Sequence, residues 1–178
     1  MSDNNVTAAD IKQAIRNIPD FPEPGIQFKD ITPVLADGRL FAGSIDLLAR
    51  KHAPGSIDSV VGIDARGFIF AAAVAVQLGV GFVPVRKKGK LPYDTHEKSY
   101  DLEYGENTVA IHTDAVPKGA RVLLVDDLLA TGGTAAAAIT LLEKLGAEIV
   151  EASFLIELEA LAGREKLSNA KVASLITY

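Results

Sequence analysis

The sequence predicts an α/β fold: a largely parallel twisted sheet flanked by helices. Three observations predict it. From Val60 onward, strand-like and helix-like segments alternate. Val122, Leu123, Leu124 and Val125 are all apolar, as in strands buried on both faces. Two Ala-rich helical segments are each followed by a glycine, Gly79 and Gly146, the residue that most readily closes a helix.

The elements follow in order. Ala8 to Ile18 carries Ile11, Ile15 and Ile18 at helical spacing and predicts a helix. Pro19, Pro22 and Pro24 stop it and impose a rigid, extended stretch to Gly25. A second helix is expected from about Leu40 to Lys51. Val60–Ile63 predicts a strand, Gly67–Leu78 a helix and Gly81–Val85 another strand. Val109–His112 and Arg121–Val125 predict the third and fourth strands, and Thr134–Leu145 a helix. Ile149–Ile156 is the fifth strand and Val172–Thr177 a last, edge strand. The interval from Lys87 to Asn107 is polar, with Gly89, Pro92 and Gly105. It is long for a connection, so residues 86–107 are a candidate flexible lid. Ligands of such folds bind beyond the carboxyl ends of the strands, which directs attention to the loops after Ile63, Val85 and Val125.

Composition narrows the function. A chain of 178 residues fits one domain, 1–178, with a full core. A formal charge of -5 argues against nucleic acid as a partner, so an anionic ligand needs a local feature to hold it. With no cysteine, disulfides and Cys-based zinc sites are excluded. His52, His96 and His112 are scattered and suggest no metal cluster. Met1–Asn5 lacks the order of a signal peptide, and no apolar run approaches the ~18 residues of a membrane span. A cytosolic protein without a membrane partner is expected.

The strongest motif is the string from Val122 to Thr134. A buried strand ends in two carboxylates, Asp126 and Asp127. The small-residue loop Ala130-Thr131-Gly132-Gly133 follows, and a helix starts at Thr134. Glycines let the backbone approach a ligand closely, and a helix N-terminus adds free N–H donors and partial positive charge. Thr131 and Thr134 add hydroxyls. Together these make a phosphate cradle. The acid pair beside it suits two ribose hydroxyls, so the string describes a site for ribose 5-phosphate. It lacks the Gly-Lys-Ser/Thr of a Walker loop and the Gly-x-Gly-x-x-Gly of a dinucleotide site.

Val125–Thr134 resembles the signature of the type I phosphoribosyltransferase family, whose members bind phosphoribosyl pyrophosphate. The likeness continues in Phe21–Ile31, Gly62–Phe68, Arg86–Pro92, Tyr100–Gly105 and Gly163–Leu167. These segments occur in the expected order, cover nearly the whole chain, and resemble the adenine-using branch. The resemblance implies a small N-terminal hood, residues 1–35, contributing to the base pocket. It implies adenine and phosphoribosyl pyrophosphate as substrates, AMP and pyrophosphate as products, and Mg2+ as cofactor. The magnesium would be carried by the substrate, with no protein-only metal site.

By the same resemblance, Asp126, Asp127, Ala130, Thr131, Gly132, Gly133 and Thr134 bind ribose 5-phosphate. Asp64, Ala65 and Arg66 grip the pyrophosphate, and the same loop faces the purine. Arg66 can fork onto phosphate oxygens. Arg86, Lys87 and Lys90 form a basic cluster at the start of the lid, where closure would exclude water. In the family a basic residue of this region reaches the neighbouring subunit's site, which implies a homodimer. Glu103 matches a glutamate assigned to purine N7 as proton donor; a surface glutamate in an acidic stretch is the alternative reading. Phe28 would stack on adenine or serve as an ordinary core residue. Gln27 stands where the family often has an aliphatic side chain, and Leu161 would close the other face of the base. Two other functions are kept open: a phosphoribosyltransferase for another purine, and a non-catalytic sensor of phosphoribosyl pyrophosphate. A 6-oxopurine enzyme commonly has a lysine after the phosphate-loop helix, and Glu157 and Glu159 stand in that region instead.

Overall fold

The computed structural model describes residues 6–101 and 106–178 of the chain. The chain divides into two compact units, Met1–Leu47 and Leu48–Tyr178.

In the first unit, α1 (Ala8–Ala14) begins at a reciprocal cap. Thr7 Oγ1 accepts from the Asp10 amide at 3.2 Å, and the Asp10 carboxylate accepts from the Thr7 amide at 2.8 Å. The helix stops short of the expected Ile18. Arg16–Pro19 instead forms strand β1, paired antiparallel with β2 (Gln27–Asp30). Pairing wins here because Pro19 cannot continue a helix and Arg16 finds partners across the pair. Its guanidinium lies 2.8 Å from Asp30 and 3.0 Å from the Thr32 hydroxyl. The stretch from Asp20 to Ile26 is therefore the connection of a hairpin, closed by a 2.7 Å bond from the Gly25 amide to the Asp20 carboxylate. Two helices follow, α2 (Thr32–Ala36) and α3 (Gly38–Ala49). The short α2 has no apolar period long enough to announce it.

The second unit is a seven-stranded mixed sheet. Its strands are β3 (Ser59–Ile63), β4 (Gly81–Lys87), β5 (Thr95–Asp101), β6 (Glu106–His112), β7 (Arg121–Leu129), β8 (Glu148–Glu157) and β9 (Val172–Thr177). The spatial order is β5-β6-β4-β3-β7-β8-β9. The five strands β4, β3, β7, β8 and β9 run parallel, and β6 and β5 join antiparallel at one edge. Two helices cover it: α4 (Gly67–Leu78) on β3, β4 and β7, and α5 (Gly133–Lys144) on β5, β6 and β8. Alternation along each strand sends side chains to the two faces. Val83 and Val85 join Val122, Leu124 and Phe154 in a core with Ala138, Leu141 and Leu142 of α5. Phe82, the residue before Val83, turns the other way and meets Phe68 of α4 edge-on at 5.3 Å. Each fully buried Leu or Phe side chain contributes roughly 1.5–3 kcal/mol of burial energy.

The expected lid contains regular structure. Thr95–Asp101 is strand β5, in register with β6 from Thr95↔His112 to Asp101↔Glu106. Its residues, Thr-His-Glu-Lys-Ser-Tyr-Asp, are mostly polar because it is the edge of the sheet, where charge guards against pairing with other chains.

Asp127, Glu151 and Glu157 are buried carboxylates of this unit, and Glu151 lies away from the strand ends where ligands bind. Glu151 on β8 is 1 % exposed, ion-paired to Lys51 and, at 3.1 Å, to Lys171, and it accepts from Ser153 Oγ at 2.6 Å. Burial opposes its charge, but the bonds from Lys51, Ser153 and Lys171 outweigh that and hold the carboxyl below its ordinary value. A depressed carboxyl stabilises the fold above its ordinary value of 4.5 and loses that contribution as pH falls through the depressed one. Glu151→Gln is therefore expected to lower Tm by about 5 °C at pH 7, by less as the pH drops below 4.5. Thermal unfolding across that range checks it; a constant gap would mean lost packing, not lost charge.

Candidate active site

Two loops at the carboxyl ends of β3 and β7 wall one cavity of about 350 Å³. Ile63, Asp64, Ala65 and Arg66 come from the first loop, and the continuous run Asp126–Ala135 from the second. The two strands are neighbours, in parallel register from Ser59↔Val122 to Gly62↔Val125, so their loops emerge side by side. Strand β7 runs through the acid pair to Leu129, further than its apolar run suggests.

The second loop turns sharply at Gly132, which caps α5 with φ 78°. Only glycine takes that conformation without strain. No side chain caps α5 and its first turn holds no acidic residue. Its first amides and the positive end of its dipole are thus left for a ligand. Helix α4 likewise starts at Arg66 without a side-chain cap. Two helix N-termini therefore border one cavity, an arrangement suited to anions.

The carboxylates sit against this positive field. Asp127 is 6 % exposed, and Arg66 Nη2 lies 2.8 Å from its Oδ2. That oxygen has no aligned hydrogen bond among the described residues. The Asp127 amide donates to Asp126 Oδ1 at 2.9 Å. Burial pushes the Asp126 carboxyl well up, and the charge of Asp127 adds to the rise. Burial raises Asp127 as well, while Arg66 pulls it part of the way back. Gly67 fits tightly beside them: a Cβ there would stand 2.3 Å from Asp126 Oδ1.

The structure thus gathers Asp64, Ala65, Arg66, Asp126, Asp127, Ala130, Thr131, Gly132, Gly133 and Thr134 around one space. Arg86 is not in the wall but supports it. Its Nε donates to Asp64 Oδ2 at 2.9 Å and its Nη1 to the Lys90 carbonyl at 3.1 Å. Lys87 and Lys90 are exposed and outside the cavity lining. Leu161 is 47 % exposed in a 3-10 turn, Glu159–Leu161. In the first unit, Gln27 accepts from Asn17 Nδ2 at 2.6 Å, and Phe28 packs edge-on against Phe21 at 5.1 Å. Glu103 lies outside the described residues. Among those that are described, no group of three or more His, Cys, Asp or Glu side chains is arranged to hold a metal ion.

Two partnerships escape a reading of the sequence: Arg66 with Asp127, and Glu157 with Arg164. Glu157 is buried and forks onto Arg164 at 3.0 and 2.6 Å. Only the unexplained acid at the end of an apolar strand, with an arginine shortly after, could have signalled the second.

A family model for the phosphoribosyl transferase domain matches residues 29–176. The chain belongs to that family. It is 60% identical over 162 residues to the adenine phosphoribosyltransferase of Acidothermus cellulolyticus, covering 91% of this chain and 92% of that one. Its structure resembles the adenine phosphoribosyltransferase of Thermoanaerobacter pseudethanolicus, with TM-score 0.93, 52% identity, and coverage of 97% and 100%. It also resembles the Saccharomyces cerevisiae enzyme, solved with an imino-altritol bisphosphate and adenine, with TM-score 0.90, 44% identity, and coverage of 94% and 97%. Within the family, the chain falls among the adenine phosphoribosyltransferases.

Proposed function

We infer that this chain joins adenine to phosphoribosyl pyrophosphate, giving AMP and pyrophosphate, a step of purine salvage. The observation that carries this is the cavity where an acid pair, Asp126 and Asp127, borders two uncapped helix N-termini. The likeness to named adenine phosphoribosyltransferases over nearly the whole chain supports the choice of base.

The residues divide the work. Amides of Ala130–Gly133 and the hydroxyls of Thr131 and Thr134 hold the 5′-phosphate. Asp126 and Asp127 accept from the ribose hydroxyls and offset the positive charge that grows on the sugar as the C1′–oxygen bond to pyrophosphate breaks. Asp64, Ala65 and Arg66 hold the leaving pyrophosphate. Arg86, bonded to Asp64, fixes that loop, and Lys87 and Lys90 add positive charge from the start of the 86–107 segment. The adenine nitrogen that bonds to C1′ must lose its proton, and Glu103 exchanges a proton with the ring. Phe28 stacks on the base, with the Gln27 backbone beside it and Leu161 opposite. Magnesium would enter with the substrate, beside Asp126 and Asp127, and would supply charge neutralisation of the leaving pyrophosphate. The residues present fit it: the site offers two carboxylates and an under-bonded oxygen of Asp127, not a closed protein cage.

We place the enzyme in the cytoplasm and as a homodimer. Helix α4 is apolar nearly all round, with Ile69 39 % and Val76 82 % exposed, which suits burial against a second copy. A 6-oxopurine enzyme fits less well, because Glu157, after the phosphate-loop helix, is neutralised by Arg164 and offers no donor.

The test is turnover with adenine, hypoxanthine, guanine or xanthine in the presence of magnesium and phosphoribosyl pyrophosphate. AMP from adenine alone is expected. Product from another base overturns the base assignment; binding without turnover favours a sensor. Glu103→Gln is expected to lower kcat by about 100-fold while changing adenine KM much less. Equal kcat would remove Glu103 from the reaction.

A further inference from the structure

The chain after β8 presses its backbone against the phosphate loop. A Cβ on Gly163 would stand 2.1 Å from the Ala130 carbonyl oxygen and 3.0 Å from the Gly132 amide nitrogen. A Cβ on Gly132 would stand 2.3 Å from the Gly163 carbonyl oxygen. The approach is mutual, backbone on backbone, and only a pair of glycines permits it. Ala130 and Gly132 both line the cavity. The loop cannot fix its own shape, since no side chain caps α5 and the cap residue is glycine.

An ion-pair clamp holds the pressing turn. Arg164, next to Gly163, donates to both oxygens of Glu157 at 3.0 and 2.6 Å. Its third donor reaches the Val172 carbonyl at 2.8 Å, tying the turn to β9. Ser174 of the same strand donates to Glu157 Oε2 at 2.6 Å. A bidentate pair fixes angle as well as distance. Leu167, at the far end of the 3-10 turn Gly163–Leu167, is buried in the core and anchors the other side.

We propose that Gly163, held by the Glu157–Arg164–Ser174 clamp, is a positioning device for the 5′-phosphate loop. None of these groups need touch substrate. They fix the Ala130–Gly132 backbone from behind so that its amides converge on the phosphate. The inference rests on reading Ala130–Thr134 as the 5′-phosphate cradle.

The experiment measures binding of ribose 5-phosphate and of pyrophosphate by calorimetry, with steady-state kinetics beside it. The full chain is used as wild type, Gly163→Ala, Arg164→Ala and Arg164→Lys. Gly163→Ala is expected to weaken ribose 5-phosphate at least tenfold and to raise the KM for phosphoribosyl pyrophosphate alike. Pyrophosphate Kd and adenine KM should move less than twofold. Arg164→Lys, which keeps the charge, should recover part of what Arg164→Ala loses. Unchanged ribose 5-phosphate affinity in Gly163→Ala, or equal weakening of all ligands, overturns the proposal. If Gly163→Ala fails to fold, the Arg164 pair decides, since that side chain is 48 % exposed. Wild-type affinity for ribose 5-phosphate in Arg164→Ala then overturns it. A wild-type chain that binds no ribose 5-phosphate instead sinks the cradle reading beneath it.

Discussion

Asp127→Asn is expected to lower kcat/KM for phosphoribosyl pyrophosphate by on the order of 100-fold, with little loss of stability. The first half follows from charge. A hydrogen bond to a carboxylate contributes about 1.5–3 kcal/mol, and on the proposed mechanism the amide would remove the charge that offsets a developing ribosyl cation. The second half follows from burial, which pushes the Asp127 carboxyl above its ordinary value of 3.8. A raised carboxyl adds stability below its ordinary value and forfeits it as pH rises through the raised one. At neutral pH the charged form is a burden that asparagine relieves. The variant's Tm should equal or exceed wild type at pH 7, and that difference should shrink as the pH approaches 3.8. Kinetics and thermal unfolding on the same sample check both halves. Near-normal turnover removes Asp127 from the sugar site; a Tm several degrees lower assigns the loss to unfolding instead.

Gly132→Ala is expected to raise the KM for phosphoribosyl pyrophosphate by at least 100-fold. Two costs combine. An L-residue at φ 78° is strained by roughly 1–2 kcal/mol. The new methyl also meets the Gly163 carbonyl at 2.3 Å, so backbone must move. Movement of even about 1 Å at the anchor of a reacting group is enough to cost two orders of magnitude. Adenine KM should change far less. Binding of ribose 5-phosphate to the variant at wild-type strength would show that loop shape does not hold the phosphate.

The legible parts of the molecule are those where one local rule acts alone. Helix α4 is readable end to end because an Ala-rich stretch meets Gly79, which takes a left-handed cap with φ 69°. Strand β9 is readable as an isolated apolar run. Strand β1 is not, because Ile11, Ile15 and Ile18 fit a helical period, and only pairing with β2 overrides it. Strand β5 is hidden by its position: an edge strand carries polar residues that read as loop. In the site, the Asp126–Thr134 string is contiguous and visible at once. The Arg66–Asp127 contact joins two loops and exists only because β3 and β7 are neighbours. The Glu157–Arg164 pair depends on a turn whose Ala162 adopts φ 49°, a conformation the residue type does not announce.

The contact between Arg66 and Asp127 bears on how ligands come and go. An empty pocket with a lone buried carboxylate would be costly, and one with a lone arginine would seize any passing anion. Here the two charges face each other at 2.8 Å, and on the proposed reading a substrate with both an acidic and a hydroxyl-bearing end would draw them apart. Binding is then an exchange of partners, not a net gain of them. Such an exchange tempers affinity for simple phosphates that could satisfy only the arginine. On the proposed reading of Arg66 as a pyrophosphate contact, Asp127 would also stand ready to compete for it as the product departs.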